Sequence, residues 1–298
     1  MGKKVLVTGG AGFIGSNFVQ YFLDNHRDMK IICLDKLSYA GNMENLSKVL
    51  KNDRFKFFNV DITNRSIVER IFEDEKPDYV INFAAESHVD RSIISSEPFL
   101  LSNVVGVGVL LDCCVKYGIE RYHQVSTDEV YGDLALKTKN KFVETSKIIT
   151  SSPYSASKAS ADMLVLAYRR TYGVHISITR CSNNYGPYHH PEKFIPKMIT
   201  SALTNQKLPI YGNGLNVRDW IYVKDHCSAI DKVVFEGTEG EIYNVGSNCE
   251  RTNIYVVKQI LKLLNKDDSY IEFVEDRLGH DLRYAINSSK IMKELGWK

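Results

Sequence analysis

Lys4-Val5-Leu6-Val7-Thr8-Gly9-Gly10-Ala11-Gly12-Phe13-Ile14-Gly15 is the stretch on which the fold turns. An apolar run, Val5-Leu6-Val7, leads straight into a glycine cluster. Beyond the cluster, Phe13, Ile14, Phe18, Tyr21 and Phe22 recur with helical spacing. The pattern is strand, tight turn, helix. Glycines admit positive φ and let a ligand approach the backbone closely. The helix start offers unpaired N–H groups and a partial positive charge, both suited to a phosphate. The spacing Gly9-x-x-Gly12-x-x-Gly15 departs from the G-x-G-x-x-G fingerprint, and alone it fits a plain βα turn equally well. Asp35 tips the balance. It closes a second apolar run, Ile31-Ile32-Cys33-Leu34, at the distance expected of an acid that binds a ribose hydroxyl.

Composition narrows the class. The chain has 298 residues, enough for one large domain or two modest ones. Hydrophobic residues are 44% and charged residues 25%, as in ordinary globular proteins. Net charge is +2, which predicts neither a nucleic-acid nor a membrane partner. Cys33, Cys113, Cys114, Cys181, Cys227 and Cys249 contain no C-x-x-C pair, so no metal site is expected. Reduced thiols in a cytoplasmic protein are the expectation. The N-terminus enters a strand directly, without a secretory pattern, and the longest apolar run, Val104 to Leu111, is far short of a spanning helix.

Strand and helix patterns alternate over residues 3 to 126. Phe55 to Val60, Tyr79 to Phe83 and Arg121 to Ser126 read as strands. Residues 64 to 74 and 98 to 117 read as helices. Such alternation predicts an α/β fold, a Rossmann-type doubly wound parallel sheet. Its ligand site lies beyond the strand C-termini, where Asp35, Asp61, Ala84 and Ser126-Thr127 fall. Residues 133 to 153 lack a period and carry Lys137, Lys139, Lys141 and Lys147; they read as a solvated surface loop placed where a lid can sit. A helix over 154 to 172 and a strand over 175 to 179 follow. From 181 the alternation breaks down. The predicted organisation is a dinucleotide-binding domain over 1–180 and a smaller C-terminal substrate-binding lobe over 181–298, interleaved with it.

Tyr154-Ser155-Ala156-Ser157-Lys158 sets a phenol and an ammonium on one helix face. A free tyrosine titrates near 10 and is a poor base at neutral pH. A neighbouring ammonium and a cationic nicotinamide are expected to lower it. The phenolate can then take a hydroxyl proton as hydride leaves the same carbon. Thr127-Asp128-Glu129, at the end of the fifth strand, adds a hydroxyl for the same hydrogen bond and two adjacent carboxyls. Two carboxyls in one low-dielectric pocket are pushed apart in pKa, so one stays protonated. Alternatively this is a solvated acidic turn.

The chain resembles the extended short-chain dehydrogenase/reductase family, and within it the nucleotide-sugar 4,6-dehydratases. The resemblance covers nearly the whole chain. It is carried by Thr8 to Gly15, Asp35 to Asn42, Ala84 to Ser92, Thr127 to Gly132, Tyr154 to Ala159, Arg180 to Pro187 and Val217 to Trp220. Asp128 is the sharpest marker. Related epimerases usually have small or hydroxyl residues after the first Ser/Thr, and related decarboxylases usually show Thr-Ser-Glu. An Asp in that place points to the branch acting on dTDP-glucose.

The resemblance implies NAD as cofactor and dTDP-glucose as substrate. The product would be dTDP-4-keto-6-deoxyglucose, an early step towards deoxysugars such as rhamnose. Tyr154, assisted by Lys158 and Thr127, would act at the C4 hydroxyl. Glu129 would remove the C5 proton, and Asp128 would protonate the departing C6 hydroxyl. Asp35 and Ser38 would hold the adenosine ribose, and Asp61 with Ile62 the adenine. Gly9, Gly12, Phe13, Ile14, Gly15, Lys36, Leu37, Ala84, Ala85, Ser87, Ser102 and Asn184 would complete the cofactor site with Tyr154 and Lys158. Asn183, Lys193, Arg218, Asn253 and Arg283 would hold the nucleotide diphosphate, and Pro209 and Tyr211 would flank the base. Ser87, His88, Thr127 and Phe194 would join them at the sugar.

Three departures from the family pattern stand out. Leu278 replaces a usual Pro, Val107 replaces a common Thr, and the sequence ends at Trp297-Lys298, before a C-terminal helix seen in longer relatives. A sugar-nucleotide 4-epimerase or decarboxylase is the competing enzyme reading, and a silent NAD-binding regulator the non-enzymatic one. Complete Tyr154, Lys158, Asp128 and Glu129 speak against the regulator. A homodimer is expected as well. Val104, Val105, Val107, Leu110 and Leu111, with Ala161, Leu164, Val165 and Tyr168, give two helices more apolar surface than one sheet face needs.

Overall fold

Val5, Leu6 and Val7 are wholly buried, yet they point to opposite sides of one strand. Leu6 packs with one hydrophobic cluster, Val5 and Val7 with another. A strand apolar on both faces belongs in a sheet covered on both faces. The computed structural model, which describes residues 2–276 and 278–298, shows that sheet.

In chain order the elements are β1 (Lys4–Thr8), α1 (Phe13–Asn25), β2 (Lys30–Asp35), β3 (Phe55–Asn59), α2 (Arg65–Glu75), β4 (Tyr79–Asn82), α3 (Val89–Ile94), α4 (Glu97–Leu100), α5 (Gly106–Tyr117), β5 (Arg121–Thr127), α6 (Pro153–Tyr172) and β6 (Ile176–Cys181). Then come β7 (Asn183–Tyr185), α7 (Phe194–Leu203), β8 (Leu208–Tyr211), β9 (Val217–Tyr222), α8 (Val223–Glu236), β10 (Ile242–Val245), β11 (Glu250–Thr252), α9 (Asn253–Leu263), β12 (Ile271–Val274) and α10 (Ser289–Leu295). The main sheet is parallel, ordered β3-β2-β1-β4-β5-β6-β10. The order reverses between β1 and β4, so a crevice opens there at the strand C-termini. Helices α2, α5 and α6 cover one face; α1 and α8 cover the other.

Two elements of the C-terminal half belong to this sheet. β10 pairs with β6, and α8 packs Val223, Cys227, Ile230 and Val234 into the cluster of α1. The remaining strands form two small sheets, β11-β9-β7 and β12-β8, the latter under α7 and α9.

Three expectations need correcting. Residues 97 to 117 are one continuous helix of 21 residues, long and apolar enough to cross a membrane, but over half of its most apolar 18-residue stretch is buried inside this fold. At Leu101–Val105 its hydrogen bonding widens to the i→i+5 pattern of a π-bulge, a feature common at functional sites. Secondly, Val107, Leu110, Leu111, Ala161 and Val165 are spent on the core and leave no spare surface. Leu100, Leu101, Val105 and Met163 are among the exposed apolar side chains of these helices, with Val115 and Tyr172 nearer their C-terminal ends. Thirdly, residues 133 to 153 are exposed at Lys137, Lys139 and Lys147 as expected, but the segment is a strap pinned to the C-terminal half rather than a free loop. The amide of Phe142 donates to the Ala285 carbonyl (2.9 Å) and that of Asn287 to the Phe142 carbonyl (2.8 Å). Glu144 accepts from the Asn244 amide at 2.9 Å, and Lys141 pairs with Glu250 at 3.2 Å.

Candidate active site

The crevice is a single cavity running from the glycine turn to the end of β5. Gly9 takes φ +68°, and a Cβ there would stand 2.6 Å from the Ala84 backbone nitrogen. At Gly15 a Cβ would stand 2.2 Å from the Gly9 carbonyl oxygen, so only glycine lets α1 start this close to β1. Gly12 is the N-cap of α1 and offers no side chain to its first N–H groups. Asp35 is buried at the end of β2. Its carboxylate accepts from the amides of Ala11 (2.9 Å) and Leu37 (2.8 Å). Burial pushes the Asp35 pKa up, while these amides and Lys36 pull it back. Lys36 donates to Ser102 in the π-bulge (2.9 Å) and sits 3.2 Å from Glu86 and 3.6 Å from Asp61.

Every expected cofactor residue except Leu37 lines this cavity. Leu37 acts through its amide on Asp35. Thr127, Asp128, Glu129, Tyr154 and Lys158 line it too, as do Ser87, Asn183 and Lys193. His88, Phe194, Pro209, Tyr211, Arg218, Asn253 and Arg283 do not. Arg218 is held by the Asp281 carbonyl (2.9 Å), with its guanidinium 4.2 Å from the centre of the Tyr284 ring. Arg283 is bound by Glu250 (2.7 Å) and the Asn140 carbonyl (3.0 Å). Both guanidinium groups are nearly buried, and a buried cation needs such partners.

The catalytic candidates sit where two elements meet. Ser152 caps α6 in a reciprocal capping box with Ser155, with Pro153 opening the first turn. This fixes the helix that presents Tyr154 and Lys158 on one face. Lys158 donates to the Val125 carbonyl at 2.7 Å, and burial lowers its pKa. Thr127 ends β5 and accepts from the Glu129 amide at 3.3 Å, closing a short helical turn over Asp128–Tyr131.

Burial decides the protonation states. Asp128 is 2% exposed; burial, and then the charge of Glu129, push its carboxyl well above the usual range. Its Oδ2 is buried without a hydrogen-bond partner. The pocket therefore favours the protonated form of Asp128 and leaves one of its oxygens without a protein partner. In Tyr154 the protein's own groups act in the opposite direction to the expected lowering by ammonium and nicotinamide together. Burial first, and then Glu129, push its phenol well above 10, and the hydrogen bond with Thr127 only partly offsets this.

Sequence reasoning missed several residues. Asn103 accepts from the Glu86 amide (2.9 Å) and donates to Ser157 (2.8 Å), tying the end of β4 to the helix of Lys158. His189 stacks on Phe13 with ring centres 4.4 Å apart, and His190 meets the Tyr39 carbonyl at 3.2 Å, so residues 189 and 190 bridge the cavity mouth. The doubled histidine was the available signal. Cys181 and Ser182 line the floor and gave none, whereas Ser126 lines it as its strand-end position predicts.

The sequence matches the family described as GDP-mannose 4,6 dehydratase over residues 6–298. It is 49% identical to the dTDP-glucose 4,6-dehydratase of Neisseria meningitidis, over 99% of this chain and 88% of that one. It is 50% identical to the low-salt glycan biosynthesis protein Agl12 of Haloferax volcanii, over 99% and 93%. DesIV, the dTDP-glucose 4,6-dehydratase of Streptomyces venezuelae solved with NAD and TYD bound, superposes with a TM-score of 0.95 at 46% identity, covering 99% of this chain and 91% of that one. With its parallel sheet, glycine turn and Tyr154–Lys158 helix, the chain belongs to the GDP-mannose 4,6 dehydratase family of extended short-chain dehydrogenases/reductases.

Proposed function

We propose that this chain converts dTDP-glucose to dTDP-4-keto-6-deoxyglucose, using NAD that it keeps through the cycle. Asp128, buried beside Glu129 with one carboxyl oxygen unpartnered, carries the reading. Removal of water needs an acid for the leaving hydroxyl and a base for the neighbouring C–H. A 4-epimerase needs neither.

The cavity suits NAD. The Gly9–Gly15 turn makes a cradle that a Cβ would fill, and Asp35 stands at the ribose end. The nicotinamide, when bound, supplies the oxidant for C4 and the reductant for C6. The protein supplies the rest. Tyr154, hydrogen-bonded to Thr127, takes the C4 hydroxyl proton once the cationic ring lowers its pKa. Lys158, anchored on Val125, keeps positive charge near the phenolate. Glu129 removes the C5 proton, and Asp128 donates to the departing C6 hydroxyl. Asn183, Lys193, Arg218, Asn253 and Arg283 take the diphosphate, and Pro209 and Tyr211 the thymine. Arg283 does so by exchanging its bond with Glu250 for the nucleotide.

The division of labour follows the chain with few crossings: residues 1–180 carry the catalytic groups and the cofactor site apart from Asn184, and residues 181–298 carry the nucleotide-sugar contacts apart from Ser87, His88 and Thr127. The enzyme pairs as a homodimer through Leu100, Leu101, Val105 and Met163, exposed on neighbouring helices. It works in the cytoplasm, where its six free cysteines, five of them buried, stay reduced.

The test is incubation of the purified protein with dTDP-glucose and no added NAD. A 4-keto sugar, seen by its ultraviolet absorbance in alkali, is expected. Stoichiometric NADH build-up, or dTDP-galactose as product, contradicts the reading.

A further inference from the structure

Behind the cavity wall lies a histidine that the mechanism does not use. His226 stands in the first turn of α8 and is fully buried. Its Nδ1 is 2.9 Å from Oδ1 of Asn184, a cavity-lining residue on β7. The far end of that amide settles the proton's place. Asn184 Nδ2 is 3.0 Å from the Ser182 carbonyl oxygen and 3.5 Å from the Cys181 sulfur. A carbonyl only accepts, so the group facing it is the NH2 and the atom facing His226 is the amide oxygen. An amide oxygen also only accepts, so His226 carries its proton on Nδ1. Its Nε2 is buried and makes no hydrogen bond. Burial holds the ring neutral, with a pKa of about 3.

The contact continues to the catalytic turn. Cys181 Sγ donates to the Ser126 carbonyl at 3.4 Å, and Ser126 precedes Thr127. His226, Asn184, Cys181 and Ser126 thus form a line from α8, through the wall, to the end of β5.

We propose that His226 is a positioning residue: by donating from Nδ1 it locks the Asn184 amide against the cavity floor and thereby sets the cofactor's reacting end against the sugar. This rests on the reading that the cavity takes NAD. A histidine that merely fills space has no preference for which nitrogen donates. That difference is testable with three variants. His226→Asn places an amide N–H near the Nδ1 position. His226→Gln reaches towards Nε2, where no hydrogen bond is made. His226→Phe keeps a ring and loses both nitrogens.

The readouts are the single-turnover rate of bound NADH formation with dTDP-glucose, kcat and KM, the rate of NAD loss without substrate, and the melting temperature. One hydrogen bond is worth about 1 to 1.5 kcal/mol, roughly tenfold. His226→Phe and His226→Gln are expected to slow NADH formation and speed NAD loss, each about tenfold by the same argument, with KM unchanged. His226→Asn is expected to stay within about threefold of the parent, well inside the worth of one such bond. If Phe fails to fold, Gln carries the comparison. Parent-like rates in Gln and Phe overturn the proposal. So does equal slowing in all three, tracking their melting temperatures. A parent that holds no NAD and forms no NADH overturns the reading of the cavity instead.

Discussion

Two strand ends in one sheet, separated only by β4, do different work. After β1 the chain turns through Gly9, Gly12 and Gly15 and presents backbone. After β5 it turns through Thr127, Asp128 and Glu129 and presents side chains. The first turn binds by shape: glycines bring α1 close, and its uncapped N–H groups face the crevice. The second turn acts by protonation state. Burial sets that state, together with the charge of adjacent Glu129 and charges from further along the chain: Glu129 and Asp219 raise the Asp128 pKa, and Arg218 opposes them. Recognition by backbone writes itself into sequence as glycine spacing. Catalysis by buried carboxyls is written only in part, because burial and two of the charges that tune Asp128, Asp219 and Arg218, come from some ninety residues away.

The comparison can be broken at either end. Tyr154→Phe removes the group that starts the reaction. Dehydration should fall by about 100-fold to 10,000-fold, the usual worth of an acid–base group, with no bound NADH formed and an unchanged melting temperature. A variant retaining a tenth of parent activity would contradict the role given to Tyr154.

Gly15→Ala attacks the other turn. Its Cβ meets the Gly9 carbonyl at 2.2 Å, so the helix must retreat. Overpacking of this kind costs about 1 to 3 kcal/mol. Purified variant should carry little NAD, seen in its absorbance ratio, and melt lower, while added NAD partly restores activity. Full NAD content would show that the turn is not the cradle.

The acid end also predicts a pH dependence of stability. The folded pKa of Asp128 is raised above its unfolded value, so the native state binds the extra proton once pH exceeds about 4, the unfolded carboxylate range. Stability therefore falls as pH rises from there towards the folded pKa. Asp128→Asn, neutral at every pH, should lose less melting temperature between pH 5 and pH 8.5 than the parent does. Parallel melting curves would place the proton elsewhere.

The smallest effect concerns exposed side chains of the two helices that carry Ser102 and Tyr154. Leu101→Glu with Val105→Glu should turn the dimer into a monomer by light scattering at micromolar concentration, with turnover nearly kept. A monomeric parent would remove the proposed interface.

Much of the fold could be read directly. β1 to β6 and their helices fall within a residue or two of their expected places, because doubly covered strands and amphipathic helices carry strong periodicity. The four apolar-flanked residues of β10 gave no hint that they would join the first sheet, since a short run reads alike in either lobe. The π-bulge was invisible: nothing in Leu101 to Val105 distinguishes it from the helix around it. The cofactor side of the site was legible because backbone recognition demands glycine and a strand-end acid. On the substrate side, Arg218 and Arg283 were identified as cations, but not as cations already engaged by Asp281 and Glu250, because those contacts depend on tertiary structure. The protein's own groups do not lower the Tyr154 pKa, for the same reason. Burial of Tyr154 and the facing Glu129 outweigh what the Tyr-x-x-x-Lys spacing alone suggests.

The central claim is that Tyr154 serves oxidation while Asp128 and Glu129 serve elimination. The direct measurement is absorbance in the NADH band after mixing dTDP-glucose with Asp128→Asn, Glu129→Gln and Tyr154→Phe. Bound NADH should accumulate in the first two, with dehydration slowed by about 100-fold to 10,000-fold, and should not form in the third. Parent-rate dehydration by Glu129→Gln, or no NADH in any of the three folded variants, would contradict the account.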